Sequence, residues 1–306
     1  MSDPRGMRLV NPGGNPALWL FHGEDGGDGV CGLALARQGS APETARLTVS
    51  RQAHTQQVMY RLFAEEERLY EPATSLLALG ALRPGDIAID IGAHVGYFSL
   101  LFRLAVGPAG TVFAFEPMPD TYRRLLRNVM QNRFTNVLPL PLAVADRSGT
   151  AVFHICPENE GESSLLGTDG GESCQVQVTC LDDLFRDGLP ARPRLLKMDA
   201  EGVEPAILRG GRRWFDEQGP DMVICEINRG ALASAGAGEM ELRDFFSARG
   251  YRAALINIPG APGLDLGGGS YYRYLDSREP AAPDCPYVFN LMFIRGGSGL
   301  YPDACQ

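Results

Sequence analysis

The run Asp86-Ile87-Ala88-Ile89-Asp90-Ile91-Gly92-Ala93-His94-Val95-Gly96 reads as a buried strand that ends in a glycine turn. The apolar segment 87–91 suits a strand covered on both faces, and residues 96–106 continue with helical texture. In an open α/β sheet, ligands bind where a strand's carboxyl end meets the following helix. Gly92 and Gly96 permit a tight turn and a close backbone approach to a ligand. A dinucleotide fingerprint would place glycines at 92, 94 and 97, where this chain has Gly92, His94 and Tyr97. A bulky middle residue holds a pyrophosphate away from the backbone, so the turn suits a ligand without phosphates.

Outward from this turn, strand and helix patterns alternate. Residues 56–82 repeat apolar positions at helical spacing and stop at Arg83-Pro84-Gly85. Downstream come a strand at 111–115, a helix at 119–132 and a strand at 136–140. Further strands are expected at 195–198 and 222–227, with helices near 205–209 and 240–249. Such alternation implies a mainly parallel sheet wrapped by helices. Two last strands, 251–258 and 287–294, have no helix between them and are expected to form an antiparallel pair. The irregular stretch 259–286 joins them; it holds Gly267-Gly268-Gly269 and Tyr271, Tyr272 and Tyr274. These tyrosines are candidates to stack on an acceptor ring, and a surface lid fits them equally. Residues 1–54 are rich in Gly and Pro and read as an N-terminal extension of short strands and loops. Residues 297–306 read as a tail.

Composition narrows the classes of function. The 306 residues are 44% hydrophobic and 21% charged, which suits a sizeable core rather than a disordered or fibrous chain. Asp and Glu total 37 against 28 Lys and Arg, for a net charge of -9, which argues against a broad nucleic-acid-binding face. Lys197 is the sole lysine and follows Leu196, so no phosphate-binding Gly-Lys-Ser/Thr loop exists. The 7 cysteines form no Cys-x-x-Cys pair, which points to reduced thiols and a cytoplasmic location. No run approaches the ~20 apolar residues of a membrane span, so no membrane partner is expected.

Glu116 closes the second strand in Ala114-Phe115-Glu116-Pro117, about 20 residues past the glycine turn. An acid at that distance is placed to accept hydrogen bonds from a ribose diol. Asp199 and Glu201 end the fourth strand and, two residues apart, share one side of extended chain. Glu226 ends the next strand. Such carboxylates are candidates to contact a cofactor's amino group, to take a proton from a substrate hydroxyl, or to hold a divalent cation. Three converging carboxylates repel, so one is protonated or a cation lies between them. No metal site is assigned.

These segments together resemble the FkbM-type S-adenosylmethionine (SAM)-dependent methyltransferases. The likeness rests on Ile89 to Tyr97, Phe113 to Pro117, Ala143-Val144-Ala145-Asp146 and Leu196-Lys197-Met198-Asp199-Ala200-Glu201-Gly202, in that order. His94 stands where relatives often carry Asn. The resemblance implies a Rossmann-like class I methyltransferase domain over residues 55–296: an α/β fold whose seven-stranded, mainly parallel sheet has its last strand antiparallel and helices on both faces. It implies that Asp90, Gly92, Ala93, His94 and Gly96 face the methionine part of SAM. Glu116 with Pro117 would hold the ribose, Ala143 and Val144 would line the adenine, and Tyr70 and Glu71 would close over the cofactor. Ser163 and Ser164 would reach over the cleft, and Asp199, Glu201 and Glu226 would serve catalysis.

The expected activity is O-methylation of a hydroxyl on a sugar or secondary metabolite, with a homodimer as one possible assembly. Two alternatives are a NAD-dependent oxidoreductase on a similar sheet and a SAM-binding module without turnover. A thermal-shift comparison of SAM, its demethylated product and NAD separates the first pair: SAM and its product are expected to raise the melting temperature and NAD to leave it unchanged.

Overall fold

Ile87–Ile91 is buried at every position, and its alternating side chains face two different cores. Ala88 packs into a cluster with the early helices, whereas Ile89 and Ile91 pack into a second cluster with the late ones. The computed structural model describes residues 8–10, 17–37, 41–167, 172–261, 264–267, 270–276, 278, 280–281 and 288–301. Among them no helix is long and apolar enough to cross a membrane.

In chain order, β1 (Arg8–Val10), β2 (Ala17–Asp25), β3 (Asp28–Ala36) and β4 (Glu43–Val49) precede α1 (His54–Ala64) and α2 (Pro72–Ala81). Next come β5 (Ile87–Ile91), α3 (Tyr97–Val106), β6 (Thr111–Phe115), α4 (Pro119–Gln131) and β7 (Val137–Leu140). β8 (Leu142–Val144), β9 (Gly149–Ile155) and β10 (Glu172–Thr179) follow, then α5 (Leu181–Leu184) and β11 (Leu195–Met198). The chain continues through α6 (Glu204–Arg209), α7 (Arg212–Gln218), β12 (Met222–Ile227), α8 (Arg229–Ser234) and α9 (Glu239–Ser247). It closes with β13 (Tyr251–Ile256), β14 (Tyr272–Tyr274) and β15 (Phe289–Arg295).

The main sheet has the order β14-β13-β15-β12-β11-β5-β6-β7. β12, β11, β5, β6 and β7 pair in parallel, and β15 enters antiparallel between β12 and β13. Seven of these strands form the expected sheet with its antiparallel last strand. The eighth, β14, is a three-residue edge strand inside the segment that reads as irregular. That sheet, with helices packed into both cores, is the Rossmann-like arrangement.

Three local expectations change. The helical pattern over 56–82 breaks into α1 and α2, because Pro72 lacks an N–H and opens a new helix instead of continuing one. Glu67 and Glu71 turn the chain between them in left-handed conformations. The glycine-rich N-terminal segment builds a four-stranded antiparallel sheet whose β2 and β3 each run nine residues. Gly32 sits opposite Phe21, and a Cβ there would fall 2.0 Å from that ring, so the glycine makes room for an aromatic cover. Leu18, Leu20 and Leu33 of this sheet share one core with Phe63 and Phe102, and Arg127 and Arg124 of α4 reach Asp25 and Asp28 at its hairpin. Finally, β8, β10 and β9 form a small mixed sheet where no strands are expected.

At the end of β5, Gly92 has φ +78°, and a Cβ there would lie 1.8 Å from the carbonyl oxygen of Asp199. Neither conformation nor space tolerates a side chain. Gly92→Ala is expected to cost about 3 kcal/mol or more in urea unfolding and to abolish binding in the adjacent cavity. Gly85→Ala is the control: φ is +89° but nothing lies within 4 Å. It should cost only about 1–2 kcal/mol.

Candidate active site

The carboxyl ends of β5, β6, β11 and β12 open into one cavity of about 270 Å³. Its floor is the turn after β5. Gly92 and Ala93 donate their backbone N–H groups to the Phe115 carbonyl at 3.0 and 2.8 Å, which ties the turn to β6. His94 takes a left-handed φ of +50° and donates its N–H to Glu116 Oε2 at 2.9 Å. Glu116 Oε1 accepts from Met118 N at 2.8 Å, so two backbone donors aim this carboxylate along the cavity wall. Burial pushes its pKa up to about 7 against those stabilising bonds.

Opposite stands the turn after β11. Its anchor is Lys197, 1% exposed, whose Nζ donates to Asp199 Oδ2 at 2.6 Å and lies 4.7 Å from the centre of the Phe98 ring. Burial opposes the ammonium's charge, but Asp199, Glu71 and Asp90 outweigh it and hold the pKa above its ordinary value. Beyond Asp199 the chain passes through Glu201 at φ +51° and Gly202 at φ +91°. Three bonds fix this turn. Ala200 N–H donates to buried Glu204 Oε1 at 2.8 Å, Ser164 Oγ donates to the Glu201 carbonyl at 3.0 Å, and Asn228 Nδ2 donates to Glu201 Oε2 at 3.0 Å.

Asp199, Glu201 and Glu226 each offer an oxygen, and the three lie within 4.8 Å of one another. That is close enough for three ligands of one divalent cation, and close enough for strong mutual repulsion. Burial and then the Asp199 charge push Glu201 up to about 8. Burial, followed by Asp199 and Glu201, holds Glu226 well above the carboxylate range. Near neutral pH the pair therefore holds protons rather than standing fully ionised, and a member that is ionised is a strong proton acceptor.

Of the residues expected at a site, Tyr70, Gly92, Ala93, His94, Glu116, Pro117, Ala143, Val144, Ser163, Asp199, Glu201 and Glu226 all line the cavity. Four do not. Asp90 is 0% exposed and accepts a bond from Ser99 Oγ at 2.5 Å, because its position in β5 turns it toward α3, under the cavity. Glu71 accepts from Asn290 Nδ2 of β15 at 2.8 Å and serves as a tether for the Tyr70 strap. Gly96 caps α3, and Ser164 braces the Glu201 turn. The tyrosines at 271, 272 and 274 lie away from the cavity; Tyr272 and Tyr274 pack edge-to-face at 5.5 Å on the β14 edge. Gly268 and Gly269 lie outside the described residues.

Several lining residues carry no local sequence signal. Thr55, Asn159 and Glu160 form a roof: Thr55 Oγ1 donates to Asn159 Oδ1 at 2.9 Å, and Glu160 Oε1 comes 3.7 Å from His94 Nε2. Burial lowers the His94 pKa despite that carboxylate, so the imidazole is neutral. Lys197 did carry a signal. A lone lysine inside the apolar run Leu195–Met198 requires a buried counter-charge.

The sheet order, the glycine turn and a cleft at the strand ends define a class I SAM-dependent methyltransferase fold. Residues 90–253 match the methyltransferase FkbM domain, over half of the chain. The chain belongs to the FkbM methyltransferase family. The hexuronic acid methyltransferase AglP of Haloferax volcanii is 30% identical over 154 residues, 50% of this chain and 61% of that protein. The 31-O-demethyl-FK506 methyltransferase FkbM of Streptomyces tacrolimicus is 30% identical over 159 residues, 42% of this chain and 60% of that one. The chain thus spans about three-fifths of the length of these relatives. The crystal structure of a SAM-dependent O-methyltransferase from Thermotoga maritima overlays with a TM-score of 0.41 at 10% identity, covering 86% of this chain and 77% of that one. That likeness is too distant to bear on function.

Removal of the buried ammonium tests the site's electrostatics. Lys197→Met leaves Asp199, Asp90 and Glu71 without their shared counter-charge and is expected to cost about 3–5 kcal/mol of stability, read from chemical denaturation.

Proposed function

We propose that this protein transfers a methyl group from SAM to a hydroxyl oxygen of a small molecule. The observation that carries this reading is the placement of Glu116 and Asp199 at opposite ends of one cavity floored by the Gly92–His94 backbone. The residues fit the cofactor. Glu116 retains lone pairs for a ribose diol beyond its two backbone donors, and Ala143 and Val144 supply an apolar shelf for a base. Buried His94 Nε2 has no hydrogen-bond partner among the described residues and offers one more polar contact. Tyr70 closes the wall beside Lys197 and Asp199.

SAM supplies an activated methyl on a sulfonium, so alignment of the acceptor provides most of the rate. In the step, the sulfur–carbon bond breaks as the oxygen–carbon bond forms, and the hydroxyl proton leaves to a carboxylate. Asp199 is engaged by Lys197 and serves orientation. Glu226 makes no side-chain hydrogen bond among the described residues and, with Glu201, is the proton acceptor in this reading. The names of the relatives include an acidic sugar and a demethylated FK506 position, which leaves both alcohols and acids as acceptor types for the family. The protein is read as acting in the cytoplasm, and as a candidate homodimer.

Calorimetric titration with SAM and turnover with labelled cofactor test these roles together. Glu116→Ala is expected to weaken SAM binding by about 10- to 100-fold. Glu226→Gln should leave binding within about tenfold while removing most turnover. The reverse pattern would reassign Glu226 to cofactor binding.

A further inference from the structure

The segment that roofs the cavity is built as a flap. Its base is a closed pair: His154 N–H donates to the Ser164 carbonyl at 2.8 Å, and Ser164 N–H donates back to the His154 carbonyl at 3.0 Å. A bond from Cys156 N–H to Ser163 Oγ at 3.1 Å narrows the neck. Residues 155–163 loop out from this base, and the tip, Glu160–Glu162, buries none of its three residues. Asn159 and the tip line the cavity from above. Across from them lies the start of α1, whose Thr55 and Met59 face the same cavity. That side is fixed. Met59 and Phe63 are buried in the core, and Gln56 Oε1 accepts from Ser50 N–H at 2.7 Å, just past β4.

Every hydrogen bond that joins flap to helix ends on a flap side chain. Thr55 Oγ1 donates to Asn159 Oδ1 at 2.9 Å, and Gln56 sends its backbone N–H and its Nε2 to Glu160 Oε1 at 3.3 and 3.4 Å. Among the described residues no backbone–backbone hydrogen bond crosses this seam. The turns at the strand ends differ. Gly92 and Ala93 are tied to the Phe115 carbonyl, and Asp199 N–H donates to the Ile91 carbonyl at 3.1 Å. A segment with little buried apolar surface, held by side-chain bonds alone, opens at a small fraction of the cost of global unfolding. The cavity holds about 270 Å³, close to the ~300 Å³ at the lower end of small-ligand sites, so a bound cofactor fills it beneath this roof. We propose that residues 155–163 form a hinged gate, turning on the His154–Ser164 pair, that parts from α1 to admit and release the cofactor. This inference rests on the SAM assignment and adds to it a route of entry. Thr55 and Gln56 lie outside the matched residues 90–253, so the N-terminal unit supplies the fixed post against which the gate shuts. A gate that is mostly shut scales association and dissociation by the same factor, the fraction of time it stands open, and leaves affinity nearly unchanged.

A Cβ on Gly161 would stand 3.8 Å from Thr55 Cβ, the usual spacing across a disulfide, so Thr55→Cys combined with Gly161→Cys staples the gate. The full chain is oxidised, the staple is confirmed by peptide mass, and the unsubstituted chain under the same oxidant is the reference. Association is followed with methyl-tritiated SAM, and dissociation by chasing the bound label with unlabelled SAM. Stapling is expected to slow both rates by more than about tenfold, and a thiol reductant to restore them. In the opposite direction, Thr55→Val removes the shortest bond of the seam. It is expected to speed association and dissociation together, about 2- to 10-fold, with affinity held within about twofold. Unchanged rates in the stapled protein overturn the gate. So does a Thr55→Val protein whose association rate is unaltered, and this second variant decides the matter alone if the two thiols do not join. SAM that binds at rates indifferent to both changes sinks the gate and leaves the cofactor assignment standing, whereas failure of SAM to bind the unsubstituted chain overturns the proposed function and the gate with it.

Discussion

The bond from Lys197 to Asp199 is the interaction on which the site depends. Parallel pairing sets Lys197 of β11 beside Asp90 of β5, so a lone ammonium lies in the sheet interior with three carboxylates around it. Such a group survives burial only if it is paired and hydrogen-bonded. Asp199 provides that pairing at 2.6 Å, and in doing so the strand end is pinned where Gly92 passes under its carbonyl. The glycine turn, the Asp199 carboxylate and the cavity floor are therefore one mechanical unit, not three motifs.

From that anchor the remaining acids acquire their character. Asp199 is bonded to its counter-charge; Glu201 and Glu226 are not, and burial followed by the Asp199 charge raises the proton affinity of both. A cluster divided into one paired and two repelling carboxylates suits one orienting group and a proton acceptor. The turn that presents Glu201 is held in left-handed conformations by Ser164, Glu204 and Asn228, from three separate elements. Backbone strain of this kind persists only where its surroundings over-determine it.

Much of the arrangement is legible in residue order. Apolar runs at 87–91, 195–198 and 222–227 separated by helical patterns imply a parallel sheet, and the acids at the ends of three strands fall on one edge. Other features have no local signature. The break between α1 and α2 is announced by Pro72, yet the conformations of Glu67 and Glu71 depend on packing. The small β8-β10-β9 sheet is built from short, partly exposed strands whose pairing partners are far apart in sequence. The roof formed by Thr55, Asn159 and Glu160 joins positions about a hundred residues apart.

By itself the sequence determined the class of sheet, the glycine turn and the identity of the acids at the strand ends, because period and turn chemistry are local properties. Only the tertiary structure decided that Asp90 lies beneath the cavity and Glu116 within it, that Glu71 tethers a strap to β15, and that Lys197 gives its hydrogen bond to Asp199. Those outcomes follow from strand parity, register and distance between elements, and none of these is written in the spacing of residues along the chain.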